Sequence, residues 1–138
     1  MNTTSLVTLG SLPFGDNFRL AALVAEGVPA GLLRDIADLL QVTPARLAEI
    51  LQIAPRTLMR RLAHNSRLKP DESERTLRVG RLVHLAEELF QDREAASAWF
   101  RRPLRALGGA SPLEMCASEP GAREVEALLG RVSHGVVA

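Results

Sequence analysis

Between Ala54 and Lys69 the chain carries five basic side chains, Arg56, Arg60, Arg61, Arg67 and Lys69, and no acidic one. A guanidinium can offer two parallel N–H donors to the O6/N7 edge of guanine, and any of these cations can sit against a phosphate. The formal net charge is only +1, so the signal is this local clustering and not the total charge. Helical spacing puts Arg56, Thr57, Arg60 and Arg61 outside, toward solvent or a partner, while Leu58 and Leu62, one turn apart, point inward. Arg56, Thr57 and Arg60 are the expected contacts in a DNA groove, with Arg61, Arg67 and Lys69 nearer the phosphate backbone. The same pattern also fits a solvated arginine-rich face on an ordinary helical hairpin.

Catalytic chemistry has less behind it. The chain has three histidines, His64, His84 and His134, a single cysteine, Cys116, and carboxylates scattered along helix surfaces. None of these falls into a nucleophile–base arrangement, metal-ligand spacing or a glycine-rich phosphate loop. His84 reads as structural, His64 as a supplement to the basic patch, and Cys116 as a small packed residue. One cysteine makes no intramolecular disulfide. We therefore expect no catalytic residue, no metal and no cofactor. Aromatic content of 4% with no tyrosine argues against stacking platforms for single-stranded nucleic acid.

The basic helix needs a frame, and Thr43 to Leu62, TPARLAEILQIAPRTLMRRL, supplies one. Thr43 is a good N-cap with Pro44 at the first helical position. Leu47, Ala48 and Leu51 share a face, Gln52-Ile53-Ala54 interrupts, and Pro55 opens the second helix. This is the pattern of a helix-turn-helix, whose second helix enters the major groove. Two residues depart from it. Gln52 stands in the turn where glycine is common, and Arg61 takes a position that is often small and apolar.

The remaining chain reads as further helices around this pair. Hydrophobic content of 46% and charged content of 24% are those of a globular domain, and no period-two run appears, so the fold class is all-α. No run reaches membrane-spanning length and no leader pattern opens the chain, which gives an expectation of a cytoplasmic protein with no membrane partner. Met1 to Phe14 reads as a poorly ordered arm. Asp16 can cap a helix through Phe18, Leu20, Leu23 and Val24 that stops at Gly27, and Pro29 begins another element. Leu32, Leu33, Ile36, Leu39 and Leu40 repeat at helical spacing opposite Arg34, Asp35 and Asp38, ending near Gln41. After a loop from His64 to Pro70, Asp71 with Glu74 can open a long helix to Phe90 with Leu82, Leu85, Ala86, Leu89 and Phe90 inward and Gly80 inside it. Asp92 caps the next helix, where Trp99 is expected as a core anchor, and Pro103 with Gly108-Gly109 ends it. Ser111-Pro112 opens a short helix through Met115, and Ser118-Glu119 a longer one with Val125, Leu128, Leu129 and Val132 as its stripe. The expected organisation is 1–28, an arm and first helix; 29–70, the helix-turn-helix region; 71–110, the long central helix and a connecting helix; and 111–138, a mildly acidic end.

The last residues, Gly130-Arg131-Val132-Ser133-His134-Gly135-Val136-Val137-Ala138, admit two readings. A frayed terminus is one. The other is a small carboxylate-ended peptide that enters a partner's cleft with a histidine. The residues alone leave the two even.

AEILQIAPRTLMRRL, the later SPLEMCASEPGAREVEALLGRVSHGVVA, and the distance between them resemble the Xre/MbcA/ParS antitoxin family, partners of RES-domain toxins. The resemblance covers Gly27 to Ala138, and the final segment is its more specific part. The family's Ser-Pro-Leu start falls on Ser111, Pro112 and Leu113, its Gly-Ala pair on Gly121 and Ala122, and its Gly-Arg-hydrophobic-x-His-Gly ending on Gly130, Arg131, Val132, His134 and Gly135. Met115, Cys116 and Ala117 depart from the family pattern, and no contact is assigned to them. The resemblance implies an antitoxin of a type II toxin–antitoxin system that covers the active-site entrance of an NAD-consuming toxin, and favours docking over fraying for the tail. It implies toxin contacts at Arg131, His134, Gly135, Val136, Val137 and Ala138, a C-terminal toxin-binding region at 111–138, and NAD as the partner's ligand. A homodimer on a symmetric double-stranded operator, acting as an autorepressor, follows if the basic helix reads DNA, because two-fold pairing roughly doubles the recognised surface. The rivals are a stand-alone helix-turn-helix regulator whose C-terminal helices dimerise or sense a ligand, and a protein-interaction module with a degenerate DNA face.

Overall fold

The structure, a computed structural model, describes residues 9–133. These residues form eight α-helices and no strand, the all-α class expected. The chain divides into two compact units, one up to Leu77 and one from Arg78, with the boundary inside the long helix α5 (Pro70–Phe90).

The first unit holds a 3₁₀ turn at Leu9–Ser11, then α1 (Asn17–Glu26), α2 (Ala30–Leu40), α3 (Pro44–Ile50), α4 (Pro55–Ala63) and the start of α5. The expected arm is ordered where described: Leu9 is buried and its turn packs on α2. Asp16 caps α1 by accepting from the Arg19 N–H at 3.1 Å. α1 buries no residue, however, and Phe18 is 91% exposed. At 3.6 residues per turn Phe18 lies on the opposite side from Leu20, Leu23 and Val24, which are half-buried, so it does not belong to their stripe. Gly27 ends α1 at φ +87°, and a Cβ there would overlap the Leu68 carbonyl oxygen. The crowding arises because Val28–Ala30 runs beside Ser66–Leu68: the Leu68 N–H donates to the Val28 carbonyl at 2.8 Å and the Ala30 N–H to that of Ser66 at 3.0 Å.

α2 buries Leu32, Leu33, Ile36, Ala37 and Leu40 against α3 and α4, and each large side chain contributes about 1.5–3 kcal/mol. Leu39, expected inside, is half-buried at the edge of that face. The start of α5 differs from the expected one. With Pro70 at the first helical position the cap is Lys69, so the carboxylate three residues on is Glu72, which accepts from the Lys69 N–H at 2.8 Å.

The second unit contains the rest of α5, α6 (Arg93–Arg101), a 3₁₀ turn at Arg105–Leu107, α7 (Pro112–Met115) and α8 (Glu119–Ser133). α5 turns Val79, Leu82, Val83 and Ala86 inward at helical spacing, with Gly80 buried among them. Leu85 and Phe90 are half-buried and Leu89 is exposed, because they lie on the flank beyond that stripe. Phe90 packs on Trp99 at 5.9 Å between ring centres, and Trp99 meets Phe100 edge-on at 5.2 Å, so Trp99 anchors the core. Asp92 caps α6 through the Glu94 and Ala95 N–H groups, and Ser111 with Glu114 completes a reciprocal capping box on α7. Along α8, Val125, Leu128 and Leu129 are buried and Val132 half-buried. Among the described residues no helix is long and apolar enough to cross a membrane.

Candidate functional sites

Thr43 accepts from the Arg46 N–H at 3.1 Å and so starts α3, whose Leu47, Ala48 and following Leu51 are wholly buried. Gln52 then takes a left-handed conformation, φ +61°, and lets the Ile53 N–H reach back to the Ala48 carbonyl at 2.8 Å. A glutamine thus makes the turn for which glycine is usual, at the steric cost of a Cβ. Pro55 opens α4, which fixes itself to the unit chiefly through fully buried Leu58; Leu62 is half-buried.

The outer face of α4 presents Arg56, Arg60 and Ala63, with Met59 44% exposed and Thr57 half-buried. Arg56 and Arg60 lie one turn apart, both exposed, and among the described residues neither side chain is ion-paired. Arg61 does not share that face, which corrects the outward placement read from spacing. Its guanidinium pairs with Glu72, and both side chains are only 11% exposed. One residue past Arg60 the helix has turned by about 100°, toward the start of α5, where Glu72 is the available counter-charge. Removing either partner strands a largely buried charge, at a cost of about 3–5 kcal/mol. Arg67 is exposed, with its Nη1 donating to the Gly27 carbonyl at 2.7 Å. Lys69 is exposed. The His64 Nδ1–H donates to the Arg60 carbonyl at 2.8 Å and so terminates α4 instead of extending its basic face.

Two side chains were not singled out from the sequence. Arg46 stands exposed on α3. Arg75, on α5, donates from Nε to the Leu51 carbonyl at 2.7 Å and faces Asp71 at 3.5 Å, so it holds the end of α3 just before the turn. The exposed arginine after the Thr43 cap could have been read from spacing; nothing local links Arg75 to Leu51.

In the second unit, Ser118 accepts from the Gly121 N–H at 3.1 Å to open α8. Gly121 lies so close to α7 that a Cβ would overlap the Met115 carbonyl oxygen, and Ala122 beside it is fully buried. Cys116 is buried, and desolvation pushes its thiol up to about 12 against the smaller opposing influence of Arg78 and Arg81, which disfavours the reactive thiolate. Arg78 and Arg81 face Glu119 and Glu126 of α8 at 3.2 and 3.0 Å, and His84 faces Glu88 at 2.8 Å. Arg131 is exposed near the end of α8. The other expected toxin contacts, His134, Gly135, Val136, Val137 and Ala138, lie outside the described residues. No group of three or more His, Cys, Asp or Glu among the described residues is placed to hold a metal ion.

Residues 19–81 match the antitoxin Xre-like helix-turn-helix domain, and residues 85–135 the antitoxin Xre/MbcA/ParS C-terminal toxin-binding domain. The chain is similar to "Antitoxin Xre" of Photorhabdus laumondii, 32% identical over 126 residues, covering 91% of this chain and 85% of that protein. The chain belongs to the Xre antitoxin family. "Antitoxin Xre" of Yersinia enterocolitica is 36% identical over 119 residues, 83% of this chain and 80% of the relative. "Prs ADP-ribosylating antitoxin" of a Sphingobium species is 27% identical over 125 residues, 84% and 79%. This Xre-family chain therefore carries a DNA-binding type of domain around α3 and α4 and a toxin-binding domain that includes α6, α7 and α8. Ser111, Gly121 and Ala122, the residues that carried the family resemblance in α7 and α8, are those that cap α7 and let α8 pack against its end.

Proposed function

We propose that this chain neutralises an NAD-consuming RES-domain toxin in the cytoplasm by occluding its active site, and represses its own promoter by binding the operator as a homodimer. The observation that carries the reading is the coexistence of an exposed Arg56/Arg60 face on α4 with a matched toxin-binding domain in one chain. Arg56, Thr57 and Arg60 read the groove. Lys69, Arg46 and exposed Arg67 approach the phosphates, whereas Arg61, paired with Glu72, supports the helix from behind. Arg131, His134 and Gly135 to Ala138 reach toward the toxin's cleft, while Val125, Leu128 and Leu129 hold α8 in place. The chain itself catalyses nothing, and NAD belongs to the partner. The name of the Sphingobium relative, with its ADP-ribosylating term, is of the same chemical kind, since ADP-ribosyl transfer draws on NAD.

Co-expression with the neighbouring toxin gene, followed by growth and purification, tests this. Full-length protein should restore growth and copurify with the toxin. A chain lacking Gly135 to Ala138 should fold and bind operator but protect less. Undiminished protection by the shortened chain would remove the tail from the mechanism.

A further inference from the structure

Between Glu94 and Glu114 the chain carries three arginines, Arg101, Arg102 and Arg105, and no acidic residue. All three are exposed, and none is ion-paired among the described residues. Other arginines of the same unit behave differently. Arg78, Arg81, Arg93 and Arg123 sit against Glu119, Glu126, Glu87 and Glu119 at 3.2, 3.0, 3.1 and 3.3 Å.

The segment that bears the three is firmly built. Pro103 fixes φ directly after α6. The Leu104 N–H donates to the Ala110 carbonyl at 3.0 Å, and the Gly109 N–H to the Leu104 carbonyl at 2.9 Å, which closes Leu104–Ala110 into a loop. Leu107 is buried and pins that loop to the unit. Gly108 and Gly109, at φ +67° and +91°, make a turn that residues with a Cβ would strain. Helix physics accounts for two of the cations: Arg101 in the last turn of α6 and Arg102 at its C-cap each gain about 0.3–1 kcal/mol from the helix dipole. Arg105 lies beyond that end and does not. The three guanidiniums, at the end of α6 and on the loop that follows, stand on backbone that is already ordered, so meeting a ligand costs side-chain but little backbone entropy, and their forked donors match carboxylates.

We propose that Arg101, Arg102 and Arg105 form an electrostatic docking patch that captures carboxylates on the surface of the toxin and speeds its association. This rests on the toxin-neutralising reading above. The three residues lie inside the 85–135 toxin-binding match and outside the 19–81 helix-turn-helix match, which favours an acidic protein surface over a DNA backbone. Steered association is fast at low salt and slows as ions screen the charges.

The test uses full-length chain and the toxin encoded beside it, with association and dissociation rates measured between about 0.05 and 0.5 M salt. Wild type should associate faster at low salt. The triple variant R101E/R102E/R105E, shown to be folded by circular dichroism and melting, should associate at least about tenfold more slowly at low salt and lose that salt dependence. Its dissociation rate and operator affinity should stay the same, and R101K/R102K/R105K should restore the fast rate because charge is retained. A folded charge-reversed variant that associates at the wild-type rate at every salt concentration overturns the proposal. So does one that loses operator affinity while capturing toxin normally, since the patch would then serve DNA. If wild type forms no complex with the toxin at all, the neutralisation reading itself fails, and the docking proposal with it, before any variant is made.

Discussion

Gly121 shows how much a single residue can fix. Its missing Cβ allows the first turn of α8 to lie against the Met115 carbonyl, and the nearest atoms a Cβ would meet there are backbone, which cannot swing aside. Gly121→Ala should lower stability by about 1–3 kcal/mol, measured by thermal or urea unfolding. Toxin binding should weaken with it, because α7 and α8 are displaced together. Asp35 makes an opposite kind of prediction. Partial burial raises its carboxyl above the usual value, Arg34 beside it lowers it and Asp38 raises it again. A carboxyl raised in the folded state favours folding most below its unfolded value, and that advantage fades as pH rises through the folded one. Asp35→Asn should therefore be more stable than wild type at pH 7, and the difference should vanish as the pH is lowered below the ordinary carboxylate range. Unfolding curves across that pH series check it.

At the scale of helices, both starts and ends were largely legible, the start of α5 being the exception because Pro70 moves its cap to Lys69. Asp16, Thr43, Asp92, Ser111 and Ser118 are short oxygen-bearing side chains placed just before an apolar period, and each accepts from a backbone N–H of its helix. The ends expected near Gln41, Gln52 and Phe90 also fall there, but they are made by left-handed glutamines, a conformation that no residue preference announces. Gln52→Gly should relieve the strain at the turn and change stability by no more than about 1 kcal/mol, in the stabilising direction, whereas Gln52→Val should destabilise. Melting of both variants with operator affinity alongside would show whether the turn sets the pose of α4. The basic site was legible in its chemistry but incomplete in its geometry. Spacing identified Arg56 and Arg60, but Arg61 meets Glu72 eleven residues away and Arg75 meets Leu51 across a helix and a loop. Tertiary partners of that kind leave no periodic trace. The stripe of α5 was misjudged toward Leu85 and Leu89 for a related reason: Ser73, Thr76 and Gly80 are buried too, and a helix buried on several sides has no single apolar face to find.

For the molecule as a whole, the proposed function puts DNA contacts and toxin contacts on residues of different helices, so each activity should be removable by substitution without the other. Arg56→Ala with Arg60→Ala should weaken operator binding by at least about tenfold and flatten its salt dependence, in gel shifts with the upstream DNA, while growth protection against the toxin persists. Simultaneous loss of both activities in a folded double variant would contradict the two-site reading. Point substitutions are the right tool for a reason that lies in α5. That helix gives Glu72, Ser73 and Arg75 to the first unit and Arg78, Arg81 and Leu82 to the second, without a break in its backbone from Pro70 to Phe90. A deletion ending anywhere within it strips one unit of its partners, so halves cut from this protein will behave worse than the sites they carry. The same continuity bears on turnover in the cell. On the proposed function, a protease that gains access to α5 would end operator binding and toxin neutralisation in one cleavage, and the two would share a single lifetime.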